Sequence, residues 1–221
     1  MATPAPAPAS LPLADRRADT GSLVGHTMSL VALTAAAFAG GAYLGADTSG
    51  GLALVSGLAA LVSLFALQAA VSRSETAAVG VLVVFGLLLG LSSGSAIGAY
   101  AAADPAAVWE AGAATALFVA GFGAAGYATR RDLSGLARTL LWALVGLIAL
   151  GVVLVLVQIP GGALVYSIVG LLIFAGLIAL DFQRLRRLED VRSAPVLAAS
   201  IFLDILNVFT LFLPIFGGDE R

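Results

Sequence analysis

The chain has 221 residues, of which 60% are hydrophobic and 11% charged, with a mean hydropathy of +1.05 and a formal net charge of −2. Soluble domains run at roughly 45–50% apolar and about 25% charged, so a water-soluble globular enzyme is excluded and an integral membrane protein is expected. The absence of cysteine, a single histidine (His26) and basic residues that are all arginine further exclude disulfides, a histidine metal site, a Schiff-base lysine and a P-loop.

The near-neutral charge carries no footprint of a nucleic-acid binder. In chain order, residues 1–21 are rich in Pro and Ala and read as a disordered arm. Arg16 and Arg17 before an apolar stretch, with Ala37-Phe38-Ala39 beyond, resemble a signal peptide. That reading is set aside because the apolar run continues past the site and six further spans need an anchor.

Crossing the hydrocarbon core takes about 20 apolar residues. Apolar runs between polar breaks predict seven spans, at about 22–46, 50–71, 76–102, 107–129, 135–158, 162–188 and 195–217. The expected class is therefore an all-α membrane protein, with a seven-helix domain over 22–217 and a short tail at 218–221. Short connections make neighbouring helices antiparallel.

Arginine placement orients the bundle. Arg16, Arg17, Arg73, Arg130, Arg131, Arg138, Arg184, Arg186, Arg187 and Arg192 fall on one face, and Arg221 alone on the other. The positive-inside rule then puts the N-terminus in the cytoplasm and the C-terminus outside, as expected of a multi-pass protein of the inner or plasma membrane. Asp47, Asp104, Asp219 and Glu220 fall on the outer face, with Glu110 just inside the start of span 4.

Gly86, Gly90, Gly94 and Gly98 recur every fourth position in span 3. Such a face lets another backbone come close, and helix packing is a better account of it than a pore lining. Trp109 and Trp142 read as interface anchors, and His26 as an interfacial residue rather than a site.

The informative residues of a membrane protein are those that cost most to bury, roughly 2.5–3.5 kcal/mol for an ionisable group at mid-helix. Asp181 in span 6 and Asp204 in span 7 are the clearest cases. The turn between them falls near Arg192-Ser193-Ala194-Pro195, which puts each aspartate about 11 residues, or roughly 17 Å, from the hairpin tip. They should share one depth. Ser200, Asp204, Asn207 and Leu211 follow one helix face, so span 7 is expected to turn Asp204 toward a polar interior.

If close, the two carboxylates cannot both ionise cheaply and can share one proton. The blander reading pairs Asp181 with Arg184 at i+3 and marks a helix end. Asp204 has no such cation within its own span.

These residues also carry a resemblance. The segments YSIVGLLIFAGLIALDFQRLRR (Tyr166–Arg187) and AASIFLDILNVFTLFLPIFG (Ala198–Gly217), with Leu203, Asp204 and Asn207 as their most specific part, resemble the transmembrane Bax inhibitor motif family. WEAGAATALF (Trp109–Phe118) is similar to that family's glutamate-bearing start of helix four. The resemblance covers about 22–217. It implies a fold with helix seven central and wrapped by the other six, and a pH-sensitive calcium leak.

It further implies that Asp181 and Asp204 are the pH sensor. Arg73 becomes the candidate latch on that pair, and Glu110 a candidate for attracting cations at the outer mouth. A tight calcium site needs six to eight oxygens, so two carboxylates suit weak, transient coordination of a permeant ion, with no tightly bound cofactor.

Three functional readings follow. The first is a cation (calcium) channel gated by protonation of Asp181 and Asp204, with Ser200 and Asn207 as supporting polar groups. The second is a regulatory protein acting on a membrane-protein partner such as a protease. The third is a proton-coupled transporter. An enzyme is not expected, because the Gly-x-Gly-Asp setting of presenilin-like proteases is absent. The expected partners are the bilayer, calcium ions and protons.

Overall fold

The computed structural model describes residues 13–157, 159–188 and 190–217. Residues 1–12 of the expected arm, and the expected tail at 218–221 with Asp219, Glu220 and Arg221, lie outside them. The described chain forms helices α1 (Leu13–Gly45), α2 (Gly50–Arg73), α3 (Glu75–Ala103), α4 (Pro105–Ala128), α5 (Ser134–Val157), α6 (Gly162–Arg186) and α7 (Ala194–Phe216). All seven are long and apolar enough to cross a membrane.

The helix ends follow local chemistry. The Ser74 hydroxyl accepts from the Ala77 N–H at the start of α3. Asp104 ends α3 and caps α4 by accepting from Ala106 and Ala107, and Pro105 begins α4 where its missing N–H costs nothing. Gly161 enters α6 at φ 72°, a left-handed conformation that suits a residue without a Cβ. The chief difference from the expected spans is at the N-terminus. Residues 13–21, expected in the arm, continue α1 as helix, consistent with the high helix propensity of Leu, Ala and Arg once the prolines end.

Two close seams organise the bundle. A Cβ at Gly86, Gly90 or Gly94 of α3 would strike the backbone of α1 at Thr34, Phe38 or Ala42. Gly41 and Gly45 of α1 lie equally close to Leu87 and Leu91 of α3. The glycine face is therefore a helix-packing face. On the other side, Gly126 of α4 meets the backbone of Ala179 in α6, and Gly123 receives the Phe182 ring.

Between these seams runs α7, which packs against α1, α2, α3, α4 and α6. Half of its most apolar stretch is buried, against 6% for α5. The wrapping is thus incomplete: α5 packs along α6 and joins α7 only where Leu147 clusters with Val208 and Leu211. A helix apolar on every side can leave most of its surface to lipid.

The α4–α5 loop is fastened to the end of α6. Buried Gln183 accepts from the Leu133 N–H (2.9 Å) through Oε1 and donates from Nε2 to the Arg131 carbonyl (2.7 Å). Arg187 pairs with Asp132 at 3.2 Å. The amide and hydroxyl of Ser134, together with Arg187, hold the Asp132 carboxyl below the usual carboxylate range. That pin is therefore present at neutral pH and lost only as pH falls through the lowered value.

Three substitutions test this packing. Gly90→Leu should force α1 and α3 apart at a cost of roughly 1–3 kcal/mol, lowering the thermal midpoint of the purified protein, whereas Gly112→Ala, where a Cβ meets nothing within 4 Å, should leave it unchanged. Gln183→Leu removes the partner of the half-buried Leu133 N–H and of the exposed Arg131 carbonyl, a loss of about 0.5–1.5 kcal/mol per bond, and should speed amide exchange at Leu133. Equal midpoints for the two glycine variants, or unchanged exchange at Leu133, would contradict the packing described.

Candidate functional site

Asp181 lies three turns back from the α6–α7 turn on the face of α6 that also carries Ser167, Phe174 and Ile178, all buried. Asp204 lies on the α7 face defined by Ser200, Asn207 and Leu211. The two residues are 3% and 7% exposed. The α6–α7 hairpin brings the two carboxylates within electrostatic reach of one another. Its turn is a short 3-10 segment, Val191–Ser193, whose first N–H groups include Arg192 donating to Asp190 (2.9 Å).

Their partners differ. Asp181 Oδ1 accepts from Arg184 Nη1 at 2.9 Å, and the Ser200 hydroxyl stands beside the same carboxyl. Asp181 Oδ2 and Asp204 Oδ2 are both buried without a hydrogen-bond partner. Arg184 is 55% exposed, so its charge is shared with solvent. Two buried acids thus face one partly solvated cation. Burying such charge costs several kcal/mol per ion unless it is neutralised or well paired.

The i+3 pairing of Asp181 with Arg184 is present, and the two aspartates lie within electrostatic reach without a hydrogen bond between their free Oδ2 atoms. The latch candidate is placed differently. Arg73 is the last residue of α2, exposed, and makes no ion pair or hydrogen bond among the described residues. The guanidinium at the pair is that of Arg184, because a position one turn along the same helix is already within reach of Asp181.

Cavities lie on both sides of the pair. One, of about 380 Å³, opens at the arginine-bearing face and is lined by Gln68, Arg184, Ser193 and Ser200 among others. A second, of about 300 Å³, lies toward the opposite face between α5, α6 and α7, with Tyr166, Ser167, Asn207 and Thr210 in its wall. On α7 the first cavity reaches Ser200 and the second begins at Asn207, seven residues or about 10 Å along the axis. Asp204 falls between them. Phe174, Ile178 and Val208, all buried in one cluster, adjoin that interval from the Asn207 side.

Asn207 lines the second cavity but donates Nδ2 to the Leu203 carbonyl (2.8 Å), so its amide serves its own helix and not Asp204. Pro214 lies inside α7 and offers no N–H to the Thr210 carbonyl, which leaves that oxygen without its usual partner in the helix ladder. Ser167 Oγ, in the same wall, is buried and unpartnered.

Glu110 is exposed on the second turn of α4 and makes no hydrogen bond or ion pair among the described residues. His26 Nε2 lies 3.1 Å from Glu75 Oε1, an α1–α3 contact away from the pair. Among the described residues no group of three or more His, Cys, Asp or Glu side chains could hold a metal ion. Asp181 and Asp204 offer too few oxygens for tight calcium binding without carbonyls and water.

Sequence reasoning missed Ser167, Gln68 and Gln183. A serine in an apolar run and two glutamines near basic helix ends were visible signals, but their facing depends on helix rotation.

Comparison with known proteins agrees with this architecture. A profile of the family described as "Inhibitor of apoptosis-promoting Bax1" matches residues 21–221. A protein of Deinococcus radiodurans is 33% identical over 215 residues, covering 90% of this chain and 91% of the relative. A membrane protein of Streptococcus pyogenes serotype M1 is 28% identical, covering 72% of each chain. The inner membrane protein YbhL of Escherichia coli K12 is 30% identical over 148 residues, covering 62% of this chain and 61% of YbhL. The chain is a seven-helix membrane protein that belongs to the Bax inhibitor family.

Proposed function

We propose that this protein is a pH-gated cation leak, with calcium as the permeant ion and Asp181 and Asp204 as the gate. The observation that carries the reading is the position of the pair: two buried acids on the stretch of α6 and α7 between the Ser200 cavity and the Asn207 cavity. The protein resides in the inner or plasma membrane with its arginine-bearing face in the cytoplasm, and it performs no covalent chemistry.

The gating follows from charge. With Arg184 as the one cation at the site among the described residues, full ionisation leaves two carboxylates and a partly solvated guanidinium in a low-dielectric interior. One shared proton joins the acids by a carboxyl–carboxylate hydrogen bond, holding α7 against α6 and keeping the Phe174–Ile178–Val208 plug closed. Loss of that proton leaves two like charges that repel, and α7 moves off the plug. A cation entering from either cavity is then met by carboxylate oxygens, the Ser200 hydroxyl and the free Thr210 carbonyl, transient ligands that suit conduction better than storage. Asp132 stays ionised throughout this range and contributes no switching.

Calcium flux into liposomes holding the purified protein tests this directly. Wild-type flux should rise as pH increases, while Asp204→Asn, neutral at every pH, should give low flux without pH dependence. Arg184→Gln removes the cation that favours the ionised pair and should move the midpoint of the flux curve to higher pH, whereas Arg73→Gln should leave it in place. A folded Asp204→Asn protein with the wild-type pH profile would overturn the proposal.

A further inference from the structure

On the side of α7 away from the aspartates, α1 and α4 both pack on α7 yet form no extended interface with each other. The gap is an open groove of about 630 Å³, floored by Phe202, Phe209 and neighbouring residues of α7 and flanked by Phe38 of α1 and Ala116 of α4. Its wall is almost wholly apolar. Thr115 is the one hydroxyl in it, and that hydroxyl already donates to the Ala111 carbonyl at 2.7 Å. A polar ligand would find no partner there. All four walls belong to membrane-spanning helices, so the groove faces hydrocarbon and suits an alkyl chain.

The groove has a charged end. Phe182 of α6 lines it and presses on Gly123 of α4. One turn further along the same α4–α6 seam, Arg186 Nη1 donates to the Tyr127 carbonyl at 2.7 Å. That bond holds the guanidinium on the α4–α6 seam, one turn beyond the Phe182 end of the groove, on the arginine-bearing side. Arg186 makes no ion pair, while Arg184 and Arg187 are committed to Asp181 and Asp132. Arg130, exposed and three residues past Tyr127, adds a second positive charge with no carboxylate partner among the described residues.

We infer that this groove is a phospholipid site: one acyl chain of an anionic lipid, from the leaflet on the arginine-bearing side, lies against α7 between α1 and α4, with its phosphate on Arg186. The charge complementarity selects the lipid, because a guanidinium with donors to spare binds a phosphate oxygen strongly at such a boundary. The acyl chain covers the α7 face formed by Phe202, Ile205, Leu206 and Phe209, which makes the lipid a wall of the helix whose opposite face carries Asp204. The inference is independent of whether calcium passes.

Native mass spectrometry of the full chain, released from bilayers containing equal phosphatidylglycerol and phosphatidylcholine, tests it. One phosphatidylglycerol per protein should survive in the wild type. Ala116→Phe, which fills the groove from an exposed position, should abolish that adduct; Gly112→Leu, where an added Cβ meets nothing within 4 Å, serves the same purpose if the first variant does not fold. Arg186→Gln should weaken phosphatidylglycerol retention about tenfold and bring it to the level of phosphatidylcholine. Retention of phosphatidylglycerol by folded groove-filled protein, or equal retention of both lipids by the wild type, would overturn the inference.

Discussion

Two carboxylates and one half-solvated guanidinium in an otherwise apolar bundle form the constraint around which the rest of this molecule is arranged. Asp181 spends one oxygen on Arg184, and each aspartate keeps another buried oxygen unpartnered. Removing a charge from water without compensation costs more than most single packing interactions return. A cluster of this kind persists only if a proton, a cation or a movement relieves it, and each of those is a functional event in a membrane.

The surrounding architecture gives that event a direction. Glycine-lined contacts lock α3 to α1 and α4 to α6, making two pairs whose backbones are in direct contact. Between them, α7 is held by side chains: aromatic and aliphatic on the Phe202 and Phe209 side, polar along Ser200, Asp204 and Asn207. Such a helix has two unlike environments to balance, and a change in charge at Asp204 acts on it more easily than on the backbone-packed seams. The bonds of Gln183 to the α4–α5 loop and of Arg186 to the end of α4 anchor α6 close to Asp181, so that α6 serves as the fixed side of the pair.

Much of this was legible before any coordinates. Runs of apolar residues bounded by arginine or proline located the spans to within a few residues, apart from the helical start at Leu13. The equal spacing of positions 181 and 204 from the Ser193–Pro195 turn led to the expectation of one depth for the acids, because antiparallel helices rise equally from a short loop, and the structure brings them within electrostatic reach. The i+3 relation of Asp181 and Arg184 was likewise readable as local helix geometry. What was not readable depends on rotation and on distant partners. Nothing in the sequence assigns Gln183 to the carbonyl of Arg131 or Arg186 to that of Tyr127. The two cavities, and the lateral groove between α1 and α4, arise from which helices fail to touch. The peripheral position of α5 follows from the same cause.

The central claim is that Asp181 and Asp204 together hold a single exchangeable proton in the closed protein. Infrared difference spectroscopy of the protein in bilayers reads this directly, through the carbonyl stretch of a protonated carboxyl group and its isotope shift in heavy water. The account predicts one such band that is present in acid, disappears as pH rises in step with channel opening, and is missing from Asp204→Asn. A folded wild-type protein without that band at any pH, or with the same band after Asp204 is replaced, would contradict it.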